Sequence, residues 1–293
     1  MVCSRDRPEM LAAALQALKA ALRGAEAIVI DSASATGDTR RVAENAGFRV
    51  ARVDLPGLSR ARNAGIAASR GRIIAFTDDD CIPTPEWVEQ LAAGFADPTV
   101  GLVVGRLLPS HEDGTAPADD PGAEAFTFGA AAEVDKVGAG ANMAFLREAL
   151  TAVGGFDEVL GAGMPLRSGE DHDAMWRVLR AGWRGRYQPS AVVTHADWRD
   201  RRQLIRMRYG YGLGAGALAA KVSKIDPQAG WSLLKRRVWR DGLVSAAANA
   251  ARRWEGPAVG DVLFTTGVVV GMARTWRRPL TRGLYGPGDL QDQ

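Results

Sequence analysis

The feature that most limits the fold is the alternation of helical and strand-like segments through the first hundred residues. Pro8 opens a stretch in which Leu11, Leu15, Leu18 and Leu22 return to one helical face, and Gly24 closes it. Residues 27–30 then read as a short buried strand ending at Asp31, and residues 50–53 as another. A helix is predicted over 59–68, followed by the β-branched run 73–77. Strand, helix, strand in repetition requires crossover connections, and these build a parallel sheet with helices on both faces. The expectation is an α/β fold of the nucleotide-binding, Rossmann-like kind with a mostly parallel sheet. Further along, the pattern predicts a helix over 85–95 and a strand over 100–107, then a long Pro-, Gly- and Asp-rich loop over 109–122. After the loop come a strand over 141–145, helices over 148–153 and 171–180, and a last strand over 191–193 ending at Thr194 and His195.

Composition narrows the class. Apolar residues are 46% and charged residues 24%, which excludes wholesale disorder and an integral membrane bundle. Cys3 and Cys81 supply neither a disulfide framework nor CxxC spacing, so a reducing, cytoplasmic setting is expected. The strand-like Met1-Val2-Cys3 does not read as an export segment.

The formal net charge of +3 hides a division: residues 1–197 carry 20 Lys+Arg against 27 Asp+Glu, and residues 198–293 carry 17 against 7. The chain is therefore read as an acidic domain, 1–197, with a basic helical appendage, 198–293. A basic appendage suggests an anionic partner. With no zinc-finger spacing or RNP-type strand, nucleic acid is set aside and a peripheral contact at the inner face of the cell membrane is favoured. From 201 to 221, basic residues alternate with apolar and aromatic ones, as in a helix lying on a membrane or packed on the body. The apolar stretch 262–273 is too short to span and is expected to be interfacial or buried. Gly210, Gly212, Gly214 and Gly216 are not preceded by a strand, which excludes a dinucleotide fingerprint.

Four segments carry candidate chemistry. The strand 73–77 runs into Asp78, Asp79 and Asp80, at the end of a strand where α/β sheets bind ligands. Clustered carboxylates suit a hard cation, Mg²⁺ or Mn²⁺, although an acidic turn with Thr84 and Pro85 starting the next helix also fits. Gly57 to Gly65, with Arg60 and Arg62, is a loop entering a helix, where free N–H groups and guanidinium donors attract anions. Asp171, at a loop-to-helix junction beside Glu170, has the chemistry of a general base. Its competing explanation is a capping box between Ser168 and Asp171. His195, at the end of a strand, is either a hydrogen-bonded structural residue or a ligand completing a carboxylate site.

Together these segments resemble the family 2 glycosyltransferases, inverting enzymes with the GT-A nucleotide-sugar-binding fold. The likeness covers about residues 1–197 and rests on Ser4-Arg5-Asp6-Arg7-Pro8, Asp31, Gly57-Leu58-Ser59-Arg60-Ala61-Arg62-Asn63, Thr77-Asp78-Asp79-Asp80, Gly169-Glu170-Asp171 and His195, in the family's order. The resemblance implies a D-x-D motif in which Asp80 faces the metal and Asp78 the metal or the ribose, with His195 as a further metal or diphosphate contact. It implies nucleotide-sugar contacts by Ser4, Arg5, Asp31, Arg60, Arg62, Asn63, Asp78, Asp79 and Asn142, the last on a strand bordering donor and acceptor. Asp171 would be the base, supported by Glu170. The implied partners are a nucleoside-diphosphate sugar and a hydroxyl acceptor, lipid-linked or glycan.

Two departures bear on this reading. Ser32 stands where many relatives have a second Asp beside Asp31, and Gln203-Leu204-Ile205-Arg206-Met207 lacks the tryptophan of the Q-x-x-R-W signature of processive synthases. Transfer of one sugar or a few is therefore expected over continuous polymerisation. The competing readings are a sugar-phosphate nucleotidyltransferase, which would ordinarily carry a Gly-rich basic loop near its first strand, and a noncatalytic sugar-binding or membrane-scaffold protein of the same fold.

Overall fold

The computed structural model describes residues 1–110, 121–133, 138–196 and 200–286. Contacts divide the chain into two units: Met1–Phe156 with Ala174–Asp197, and Asp157–Asp173 with Trp198–Gln293. His111, most of the 109–122 loop and Asp197 lie outside the described residues.

The first unit begins with β1 (Val2–Ser4), α1 (Pro8–Ala21), β2 (Ile28–Ser32), α2 (Asp38–Asn45), β3 (Arg49–Val53), α3 (Leu58–Ala68) and β4 (Ile73–Asp78). It continues with β5 (Cys81–Pro83), α4 (Trp87–Ala93), β6 (Val100–Pro109), β7 (Phe126–Phe128), β8 (Met143–Leu146) and α5 (Arg147–Ala152). The unit boundary falls inside α6 (Glu170–Arg180), and β9 (Arg184–His195) ends the unit. The sheet order is β3-β2-β1-β4-β8-β6-β9-β5, with β7 also on β9. β1 to β4, β6 and β9 share one direction, while β5, β7 and β8 run against them. The mostly parallel sheet holds in that sense, with an antiparallel half that the periodicity alone does not show.

Pro8 at the first turn of α1 presets the helical φ, and its leucine stripe, Leu11, Leu15 and Leu18, is buried as the spacing predicts. Phe76, Phe145 and Phe156 meet edge to face with ring centroids 5.3–6.3 Å apart, an arrangement aromatic quadrupoles favour. Thr84 does not start the next helix: its N–H donates to Val192 O, its carbonyl accepts from Trp87, and the helix begins at Trp87. The last strand runs from Arg184, well before the apolar 191–193, because its earlier residues pair with β6 and β7.

The second unit holds α7 (Arg201–Ile225), α8 (Pro227–Lys235), a run of wide π-type turns at Arg236–Val244, α9 (Ser245–Ala251), α10 (Glu255–Trp276) and a small hairpin of β10 (Leu280–Thr281) and β11 (Leu284–Tyr285). Gln203 belongs to a capping box: its N–H donates to Asp200 Oδ1 at 2.8 Å, and its Oε1 accepts the Asp200 N–H at 3.1 Å. α7 and α10 lie side by side in the same direction, each presenting a small-xxx-small pair, Gly212 and Gly216 against Gly267 and Gly271. A methyl group at Gly212 would overlap the Phe264 carbonyl oxygen, and one at Gly216 the Val268 carbonyl oxygen. The glycines are there because the two backbones touch. α10 extends well beyond the apolar run 262–273, and Gly256–Trp276 is long and apolar enough to cross a membrane by length and composition.

Candidate functional site

The parallel order places the carboxyl ends of β2, β1 and β4 side by side, bringing Asp31, Ser4 and Asp78 to one edge of the sheet. β4 then turns through Asp79 and Asp80 into β5, and β5 pairs antiparallel with β9 so that Cys81 stands opposite His195. That pairing, supported by the Ala196 N–H donating to Asp80 O at 2.8 Å, carries His195 to the aspartates.

The three carboxylates are neutralised from different sides. Asp79, wholly buried, accepts the Ser4 hydroxyl at 2.6 Å and forms an ion pair with the Arg7 guanidinium at 2.6 Å. The other guanidinium nitrogen of Arg7 reaches Asp80 at 3.2 Å. Asp78 faces the buried Arg62 at 3.4 Å, whose guanidinium also lies over the Phe156 ring at 5.3 Å. His195 Nε2 is 3.6 Å from Asp80 Oδ1. Burial raises the Asp78 carboxyl despite Arg62, and pushes Asp79 up to about 7 against the opposing pull of Arg7 and Ser4.

Arg7 therefore bridges two aspartates, and it is the site residue the sequence reading did not single out. Its signal was a guanidinium one residue before the helix-opening Pro8, where the chain leaves β1. Asp80, Cys81 and His195 offer ligand atoms within 4.8 Å of one another. Burial raises the Cys81 thiol, followed by the neighbouring Asp78 and Asp80, so it stays a thiol. A carboxylate with an imidazole remains, a donor set that fits Mn²⁺ or Mg²⁺ with its remaining positions open.

The other predicted residues take several roles. Asp31 is buried, its carboxylate accepting the Ser34 N–H at 2.9 Å and Arg52 at 2.5 Å. The β2–β3 register sets Asp31 opposite Arg52, which explains the pair. Arg60 donates to Pro56 O at 2.7 Å, and Arg5 is half exposed beside Asp6 at 3.4 Å. Asn63 clasps the backbone of Phe156, donating to its carbonyl and accepting its N–H, both at 2.9 Å. Asn142 is a buried brace: its NH₂ donates to Arg106 O and Ala191 O, and its oxygen accepts from Trp87 Nε1, all at 2.8 Å.

In the second unit, the Asp171 carboxylate accepts the His172 N–H at 2.8 Å and Glu170 is buried. Ser168 does not form the expected cap, because its hydroxyl donates to the carbonyls of Gly210 and Tyr211, each at 3.2 Å. That contact anchors the turn at Gly169, whose φ of +86° favours glycine.

The family model described as Glycosyl transferase family 2 matches residues 1–154. The chain belongs to this family. A pre-mycofactocin glycosyltransferase of Mycobacterium tuberculosis is 34% identical to this family 2 chain over 230 residues, covering 72% of the chain and 46% of that protein. The chain thus spans about half the length of the curated relatives it matches. Among solved structures, S. aureus TarS 1-349 in complex with UDP aligns with a TM-score of 0.55 at 13% identity, covering 99% of this chain and 96% of that one. Another structure of S. aureus TarS aligns with a TM-score of 0.58 at 12% identity over 89% of this chain and 54% of that one. At such identities the likeness concerns the fold, which is GT-A.

Proposed function

We propose that this family 2 chain is a metal-dependent, inverting glycosyltransferase that moves a sugar from a nucleoside diphosphate to an acceptor hydroxyl. The observation that carries the proposal is the turn of three aspartates at the carboxyl ends of the parallel strands, with Arg7, Arg62 and His195 set around it. Asp80 and His195 would hold a divalent cation, with Asp78 beside them. Such a cation, when bound, supplies Lewis-acid stabilisation of the leaving diphosphate's charge. Ser4, Arg5, Asp31, Arg60 and Asp79 serve the nucleotide pocket, and Asn63 and Asn142 keep its walls in register. Arg62 and Arg7 hold the acidic turn in place and balance its charge.

Asp171, supported by Glu170, takes the proton of the acceptor hydroxyl as that oxygen attacks the anomeric carbon. One bond forms as the sugar–phosphate bond breaks, and the configuration inverts without an enzyme-bound intermediate. Transfer of one sugar or a few fits better than polymer extrusion, since Gln203 of the partial Q-x-x-R motif forms a helix cap. The basic second unit is assigned a peripheral membrane contact.

The name of the M. tuberculosis relative makes pre-mycofactocin a first acceptor to assay, and the TarS complex makes UDP a first nucleotide. The test is a thermal-shift series of nucleoside diphosphates with Mn²⁺ and Mg²⁺, followed by transfer assays. Stabilisation should require nucleotide and metal together and disappear in Asp80→Ala; unchanged metal dependence in that variant removes Asp80 as a ligand. Asp171→Asn should lower kcat by about 10²–10⁴-fold while the nucleotide-dependent shift persists. Full activity in that variant would remove the base assignment.

A further inference from the structure

α10 is turned inside out for a helix in water. Its inward face carries Gly267, Val268, Gly271 and Thr275 against its neighbours. Among its exposed positions, Val259, Val262, Thr266, Val269, Ala273 and Trp276 are spaced by three and four so that they form one stripe, with the exposed Arg274 to one side of it. The three valines are 53–55% exposed and Trp276 43%, and no charge interrupts the stripe. Thr266 satisfies its hydroxyl within the helix by donating to Val262 O at 2.9 Å. A surface helix ordinarily turns polar residues outward.

The stripe continues onto the neighbouring segment. The ring of Trp276 lies 5.8 Å from that of Trp231 on α8. Trp231, Leu234, Val238 and Trp239 line one groove of about 690 Å³ together with Lys235 and Arg240. Trp239 is the most exposed large apolar residue among those described, at 66%. Of the fifteen exposed large apolar side chains among the described residues, six lie on this stripe and groove: Trp231, Trp239, Val259, Val262, Val269 and Trp276. Residues 227–286 also carry ten Lys+Arg against three Asp+Glu.

We infer that the second unit docks on an anionic lipid bilayer through this face, with α10 lying in the plane of the interface; the inference rests on the peripheral-membrane reading above and names its docking surface. Indole rings with neighbouring cations suit the headgroup boundary, and a stripe of exposed valines whose one hydroxyl is satisfied within the helix suits the acyl layer beneath it. The flat orientation follows from charge. If the helices crossed the bilayer, Lys235, Arg236, Arg237, Arg240 and Asp241, in the middle of the returning segment, would enter hydrocarbon. Nucleic acid fits poorly, since valines offer it neither stacking nor hydrogen bonds.

The test is flotation of the full chain with vesicles of phosphatidylcholine alone or with about a third phosphatidylglycerol. The chain should float with the anionic vesicles, detach at ~0.5 M salt, and show its tryptophan emission quenched by brominated acyl chains. Val262→Ser with Val269→Ser, and separately Trp239→Ser, lie on exposed positions and should retain the wild-type circular dichroism, yet weaken anionic-vesicle binding by about tenfold. Equal flotation of wild type and variants would overturn this docking face and leave the peripheral reading standing. Failure of the wild type to float with either vesicle would overturn both. A concentration-dependent dimer that the double valine variant abolishes, without vesicle binding, would assign the face to a second copy and overturn the inference.

Discussion

Lys221 is wholly buried in α7 and serves two carboxylates that are wholly buried themselves, Asp157 at 2.5 Å and Asp173 at 2.7 Å. The Tyr285 ring lies 4.8 Å from its Nζ, and the Tyr285 N–H donates to Asp157 at 2.8 Å. Asp157 and Asp173 are the two ends of the segment Asp157–Asp173 that joins the helical unit, so one ammonium pins both ends of the segment that brings in Glu170 and Asp171 at the start of α6. Replacing Lys221 by Met keeps most of the volume but takes the ammonium away from two wholly buried carboxylates. Removing one partner of a buried ion pair costs about 3–5 kcal/mol, and here the remaining charges also repel each other. Urea unfolding followed by tryptophan fluorescence should show the midpoint fall by ~1–5 M for a slope of roughly 1–3 kcal/mol/M. The triple variant Lys221→Met, Asp157→Asn, Asp173→Asn removes the uncompensated charge and should recover more than half of the loss. A loss below about 1 kcal/mol in Lys221→Met, or a triple variant no more stable than the single one, would refute the argument that charge burial holds this loop.

Two further outcomes follow from the same reasoning. Gly216→Ala should destabilise by about 1–3 kcal/mol because its methyl group meets the Val268 carbonyl, whereas helix propensity alone predicts a gain of about 1 kcal/mol; thermal unfolding distinguishes the signs. Burial pushes the Cys3 thiol from 9.0 up to about 12. As the folded state resists losing this proton and the unfolded state does not, its contribution is complete below pH 9.0 and is lost as pH rises toward 12. Cys3→Val should flatten the alkaline slope of the unfolding free energy from urea titrations by up to about 1.4 kcal/mol per pH unit, and an unchanged slope would count against the buried-thiol assignment.

Much of the architecture was legible because its signals are local. The leucines of α1, the β-branched run of β4 and the acidic turn after it are written in neighbouring residues, and the structure buries or turns them accordingly. The family's motifs were visible in the same way, as short strings in order. The strands β5 and β7 were missed, since three residues carry too little periodicity to be told from a loop. Thr84 and Ser168 looked like caps by spacing, but each found partners distant in sequence, Val192 for one and Gly210 with Tyr211 for the other.

The sequence by itself determined the alternation of strand and helix, the acidic turn at a strand's end, and the charge contrast between body and tail. Only the tertiary structure decided which charge meets which. Arg7 reaches Asp79 and Asp80, Arg52 holds Asp31, and His195 arrives beside Asp80 through the pairing of β5 with β9. It also gave the alternating glycines of α7 their reason, a backbone contact with α10. Periodicity and turn chemistry act over a few residues and can be read along the chain. Ion pairing, desolvation and close packing depend on distance through space, which strand register and helix contact set between residues far apart in sequence.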